Sequence, residues 1–309
     1  MASVGSIIGG GFRVVRERPG AVVIWALTYI VGFVGLFVLL ALLMGGTMGL
    51  SALGGGMRDP ATMGNAIGSM ILTLIVFYLG IFFLSAILMN AVFRTVLRPN
   101  EWSMASLRVG ADELRIFGLT IMVLIASVIV SFVAGLLISL ISMALMAMTG
   151  PNLLVAGLVQ LVYLCFWIWL SVRLSLLSPV VFYRRSFAVD TAWALTGGSN
   201  FWKLLGAFLI VGLIVVIVFG GVFWWAFGPI FMAAFQHPND PVAMRAAMEG
   251  FDPSMMMGRF AIIFLVSILF GPLAFAVWNG MLATATREML IDGGEVFDDD
   301  AEGTAAIFE

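Results

Sequence analysis

Five stretches of the 309-residue chain, 19–57, 60–93, 116–172, 204–239 and 260–286, contain no Asp, Glu, Lys or Arg. Each is longer than the roughly 20 residues an α-helix needs to cross the hydrocarbon core of a bilayer. In lipid the backbone must satisfy its own hydrogen bonds, so such runs fold as helices rather than as open sheets. The composition agrees: 62% of residues are hydrophobic, 10% are charged, and the mean hydropathy is +1.13. Soluble domains run nearer half apolar and a quarter charged. An ordinary soluble enzyme is excluded, and the chain reads as an all-α polytopic membrane protein.

Six spans are expected, at about 21–46, 69–97, 116–148, 152–177, 201–234 and 259–288. The 116–172 run is too long to cross once, and Thr149-Gly150-Pro151-Asn152 supplies the turn that divides it. The third and fifth spans exceed a bilayer's thickness and must tilt, bend or project. Gly271-Pro272 predicts a kink in the sixth. Residues 1–291 then form one membrane domain of three helical hairpins. Each hairpin is introduced by an amphipathic interfacial stretch, 4–18, 101–115 or 186–200. The regular interval fits either internal repeats or the plain geometry of any six-span chain.

Basic residues set the orientation. With the N-terminus inside, the inner segments hold Arg13, Arg16, Arg18, Arg94, Arg98, Arg108, Arg115, Arg173, Arg184, Arg185, Lys203 and Arg287. Only Arg58, Arg245 and Arg259 remain outside. The positive-inside rule therefore puts both termini in the cytoplasm. The near absence of lysine points to a GC-rich bacterium, hence to a bacterial inner membrane. The apolar run after Arg18 is too long for a cleaved signal peptide and reads as a retained span. Acidic residues crowd residues 292–309, which read as a disordered tail.

Several local expectations follow. In 107–115, a helix would set Arg108 against Asp112 at i,i+4. A short helix through Trp193 would stop at Gly197-Gly198, with Ser199 or Asn200 capping the fifth span. Trp193, Trp202 and Lys203 suit the headgroup layer. Gly9-Gly10-Gly11 lacks the Gly-Lys-Ser/Thr signature of a nucleotide loop and reads as a flexible lead into the first helix. Residues 47–68 read as a flexible outer loop. Residues 235–258 should contain a helix capped by Asp240, begun by Pro241, ended by Gly250 and carrying an Arg245–Glu249 pair. Met255-Met256-Met257 either packs or rests in the outer headgroup region.

The segment from Arg173 to Lys203, with a proline after the fourth span and then Trp-x-Leu-Thr-Gly…Asn-Phe-Trp-Lys, resembles bacterial proteins related to the glycerophosphoryl diester phosphodiesterase membrane domain. Leu-Arg-x-Gly-Ala-Asp-Glu-Leu-Arg at 107–115 is similar to a segment of uncharacterised proteins of that type. The resemblance implies a lipid-associated membrane module. It transfers no catalytic residue, because this chain is too short and too apolar to hold the phosphodiesterase domain as well.

Catalytic and metal chemistry find little support. The single histidine, His237, has one nearby carboxylate, and the single cysteine, Cys165, lies in an apolar run and reads as a packing residue. Neither a metal site, a nucleophilic triad nor a cofactor is expected. Arg94, Arg173 and Arg287 sit near the inner ends of even-numbered spans. They either snorkel to the interface or form a ring that binds lipid phosphates. Arg98, Arg108, Arg115, Arg184, Arg185 and Lys203 extend that basic face. Asn90, Gln160, Ser171 and Asn279 either bond between helices or line a cavity. Ser127, Ser131, Gly135 and Ser139 form a small-residue face on the third span, suited to helix packing or to a subunit interface.

Taken together, these features predict a non-enzymatic protein that binds or organises phospholipid, able to assemble as a homo-oligomer and with no nucleic-acid partner. A carrier or channel for a small neutral or amphipathic solute is one alternative, and a scaffold or assembly subunit is another.

Overall fold

A computed structural model of the chain describes residues 2–53, 60–101, 104–150, 152–236, 253–295 and 297. Among them every regular element is helical, and six helices are long and apolar enough to cross a membrane. The protein is an all-α, multi-pass membrane protein. Helix α1 (Val4–Glu17) precedes the spans α2 (Pro19–Leu53) and α3 (Pro60–Leu97). A tight turn at Met104–Ser106 leads into α4 (Ala111–Thr149), which returns through α5 (Leu153–Leu174). Two short helices follow, α6 (Leu177–Arg184) and α7 (Val189–Leu195). The fifth span runs as α8 (Ser199–Val215), a π-helical turn at Val216–Gly220 and α9 (Gly221–Gln236). The sixth is α10 (Pro253–Asp292), with Pro272 inside it.

Helix boundaries follow local chemistry. Pro19, Pro60 and Pro253 open their helices, where a missing N–H costs nothing. Gly150, at φ +73°, ends α4, and Asn152 Oδ1 accepts the Leu154 N–H at 2.9 Å to start α5. At α1 the side chains and backbones of Ser3 and Ser6 cap each other.

Helix α1 buries Ile7, Gly10, Gly11 and Val14, the i, i+3, i+4, i+7 face, mainly against α10. Its glycines are a packing seam rather than a flexible lead-in. A Cβ at Gly10 would overlap Thr284, one at Gly11 would strike the Val277 carbonyl, and one at Gly280 would sit 3.1 Å from Val14. Two hydrogen bonds fasten the same helix. Ala2 N–H donates to Asp292 Oδ2 at 2.9 Å, and Ser6 Oγ donates to Glu288 Oε2 at 2.7 Å.

The packed core lies at the end of the bundle that carries the start of α1 and the end of α10, here called the basic end. Phe93, Ile116, Phe182, Leu204 and Met281 are fully buried there beside Ile7. A smaller cluster joins Trp25, Val92, Ala105 and Ala276. Away from that end few side chains are buried. Leu136, Leu140, Leu158, Phe264 and Leu269 are exposed, as hydrocarbon-facing positions should be.

Several expectations are corrected. Helix occupies 47–53 and 60–68, where the sequence predicts a flexible loop, because Met, Leu and Ala there do not break a helix and Pro60 stands at a first helical position. The fourth span does not run unbroken to 177. It stops at Leu174, and Pro179, which cannot donate to the preceding turn, sits in the first turn of α6. Residues 107–109 are not helical, so Arg108 is exposed and does not pair with Asp112. Neither Ser199 nor Asn200 caps α8, whose N-cap is Gly198; Asn200 Nδ2 instead donates to the Leu195 carbonyl at 3.1 Å. Cys165 is exposed on α5 rather than packed. The start of the tail is ordered: α10 continues to Asp292, Glu295 pairs with Arg184, and Phe297 stacks on Tyr183 with ring centroids 4.8 Å apart. The helix expected within 235–258, with Asp240, Pro241, Arg245, Glu249 and Gly250, lies outside the described residues, as do His237 and Arg58.

Candidate functional site

The basic end is organised by arginines, most of which are engaged by protein groups. Arg94, in the last turn of α3, forms a buried ion pair with Glu113, in the first turn of α4, and donates through Nη1 to the Ser106 carbonyl at 2.8 Å. An acid in a helix's first turn complements the macrodipole, and Glu113 Oε2 also accepts the Gly110 N–H at 2.9 Å. Ala105 and Ser106 between them adopt left-handed backbone, φ 55° and 54°, which costs of order 1 kcal/mol or more each for non-glycine residues. Trp25 Nε1 and Arg94 hold that turn by donating to the carbonyls of Ala105 and Ser106, at 2.7 Å and 2.8 Å. Nothing in the residue types at 104–106 signals the turn, because its partners come from α2 and α3.

Arg98 lies over the Phe182 ring at 4.6 Å and donates to the carbonyls of Phe182 and Tyr183 at 2.5 and 2.9 Å, capping the end of α6. Burial lowers its guanidinium below the ordinary arginine value; Arg185 acts the same way, and Glu101 and Asp112 oppose. Arg115 pairs with Asp112 at 2.8 Å, Arg185 with Glu101 at 2.6 Å, and Arg184 with Glu295. Arg173 stacks on Trp193 at 4.1 Å, while its carbonyl accepts the Thr196 hydroxyl at 3.1 Å. Lys203 Nζ donates to Asn200 Oδ1 at 3.3 Å.

Arg94, buried against Glu113, is withdrawn from a lipid-facing ring with Arg173 and Arg287. Arg173 stacks on Trp193 with Nε buried and without a hydrogen-bond partner. Arg287 instead lines a 470 Å³ cavity at the basic end, between α1, α3 and α10. Arg13 and Arg18 line it too, residues whose sequence context marks them only as orientation signals. One terminal nitrogen of Arg18, Nη1, is buried and has no hydrogen-bond partner. Glu17 and Glu288 complete the charged lining, and Thr95 and Thr284 add hydroxyls. A second cavity of 310 Å³, lined by Arg98, Glu101, Arg184 and Arg185, has its charges largely paired among themselves.

The polar residues expected within the spans are scattered. Asn90 is fully buried on α3 with both amide atoms unpartnered, and Asn279 is buried on α10 with Nδ2 donating to the Phe275 carbonyl at 2.9 Å. Gln160 and Ser171 are exposed on α5, so the four do not share a cavity. On α4, Ser131 and Ser139 donate to the carbonyls of Ser127 and Gly135 within their own helix, and a Cβ at Gly135 would meet nothing. That small-residue face carries no close helix approach at Gly135. Among the described residues no three His, Cys, Asp or Glu side chains are grouped as metal ligands.

Apolar hollows adjoin the site. One of 180 Å³ lies between α1, α8 and α10, lined by Phe12, Val15, Val211, Ile214, Phe270 and Val277, and another of 310 Å³ continues along the π-helical turn at Phe219 and Gly220. No family model, curated protein or solved structure matches the chain.

Proposed function

We propose that this chain is a non-enzymatic, lipid-interacting protein of a bacterial inner membrane, with its basic end and both termini in the cytoplasm. It holds a phospholipid headgroup in the cavity of Arg13, Arg18 and Arg287. The observation that carries the reading is the convergence of three guanidinium groups on one 470 Å³ cavity. A phosphate oxygen is the strong acceptor that guanidinium suits best. The volume falls within the range of roughly 300–1,000 Å³ typical of ligand sites. The likeness of residues 173–203 to glycerophosphoryl diester phosphodiesterase membrane domains belongs to the same proposal, as does assembly into a homo-oligomer.

The test is native mass spectrometry of the full chain released from its own membrane. Wild-type protein should retain a stoichiometric phospholipid. The Arg13→Gln/Arg18→Gln variant should lose it by about tenfold or more, the loss expected when charge-assisted hydrogen bonds worth roughly 1.5–3 kcal/mol are removed. Equal retention by the variant would refute the site.

A solute pathway is the second reading, favoured by Asn90, whose buried amide has no protein partner. It requires water at that depth. An Asn90→Leu variant that keeps full solute flux in liposomes would remove it.

A further inference from the structure

The lining of the arginine cavity is of mixed sign, and that selects among headgroups. We infer that the site prefers an aminophospholipid, whose headgroup carries a phosphate and a primary ammonium, over a purely anionic phospholipid; this rests on the lipid-binding reading above. Arg13, Arg18 and Arg287 line the cavity and supply the groups for the phosphate. Glu17 and Glu288 line the same cavity, and among the described residues neither forms an ion pair within 4.0 Å. Glu288 accepts one hydrogen bond, from Ser6 Oγ at 2.7 Å, which takes one of its two oxygens.

The threonines point the same way. Thr95 Oγ1 donates its proton to the Val92 carbonyl at 2.7 Å, and Thr284 Oγ1 donates to the Gly280 carbonyl at 2.8 Å. Their hydroxyls are thereby committed as donors within their own helices, which leaves these lining oxygens as acceptors only. Two carboxylates and two accepting hydroxyls suit an ammonium with three donors. A glycerol headgroup is uncharged and can offer them only hydroxyl hydrogen bonds, which leaves both carboxylate charges without a counter-ion. The lining therefore holds groups of both kinds: guanidinium for phosphate, carboxylate and hydroxyl oxygen for ammonium.

The experiment offers the full chain, in detergent, an equimolar mixture of dioleoyl phosphatidylethanolamine and dioleoyl phosphatidylglycerol and reads the retained lipid by native mass spectrometry. The expected result is retention of the ethanolamine lipid by about threefold to fivefold over the glycerol lipid, the yield of one or two partly exposed ion pairs. The Glu17→Gln/Glu288→Gln variant, whose new amide oxygen on α10 can still accept from Ser6, should lose that preference while retaining phospholipid. Equal retention by the wild type, or preference for the glycerol lipid, overturns the inference and leaves the lipid-binding reading standing. Retention of neither lipid overturns both. Soluble phosphorylethanolamine in large excess should leave the bound lipid in place; displacement would assign the site to a free phosphomonoester and overturn the lipid form of the inference.

Discussion

Arg94 and Glu113 are each almost fully inaccessible, and the pair's value lies in mutual neutralisation rather than net stabilisation. Removing one partner strands the other charge. Arg94→Leu is therefore expected to destabilise the protein by about 3–5 kcal/mol, whereas Arg94→Met with Glu113→Leu should recover most of the loss. Unfolding in detergent by denaturant titration of the single and double variants checks this, and a double variant as unstable as the single would contradict it. The pairing is not legible in the sequence. Arg94 and Glu113 are 19 residues apart, and Arg184 and Glu295 are 111 apart, so spacing rules that work within a helix cannot find them. The charges themselves are legible; which of them are already spent on carboxylates is not. Arg13 and Arg18 show the converse, since as residue types they look no different from the basic residues that orient any first span.

At the scale of elements, α1 is a wedge locked on α10 by glycine, and its register depends on backbone contact. Gly11→Leu places side-chain atoms against the Val277 carbonyl and should lift α1 from α10. Hydrogen exchange over residues 4–17 would then rise sharply, with exchange in α4 and α5 little changed; protection equal to wild type would contradict the packing. The chain just after α10 is held by Phe297, which is 3% exposed and stacked on Tyr183. Phe297→Ala should cost about 3 kcal/mol and expose the chain after Asp292 to protease. The amphipathic pattern of 4–18 is visible in the sequence, because Ile7, Gly10, Gly11 and Val14 recur at helical spacing. A run of three glycines nevertheless reads as flexible until a partner helix is known. Phe297 is hidden for a related reason: one aromatic in an acidic stretch has no periodicity to mark it.

On the scale of the whole molecule, the six spans are the most legible feature, because exclusion of charge from hydrocarbon acts on every residue independently of its partners. The placement of the core cannot be read that way. Spans that are apolar on all sides give no sign of which end will pack, and only the folded chain concentrates burial where α1, the end of α10 and the arginines meet. Reporter fusions at each terminus should place both in the cytoplasm, following the excess of arginine at that end; an external reporter at either end would invert the proposed membrane orientation. The central claim, that the basic end holds a phospholipid, is tested most directly by an electron cryomicroscopy map of the protein in nanodiscs made with its native lipids. The account predicts phosphate density in the cavity between α1, α3 and α10, within hydrogen-bonding distance of Arg18 and continuous with acyl density. A resolved cavity containing only water, with Arg18 turned to a protein carboxylate, would contradict it.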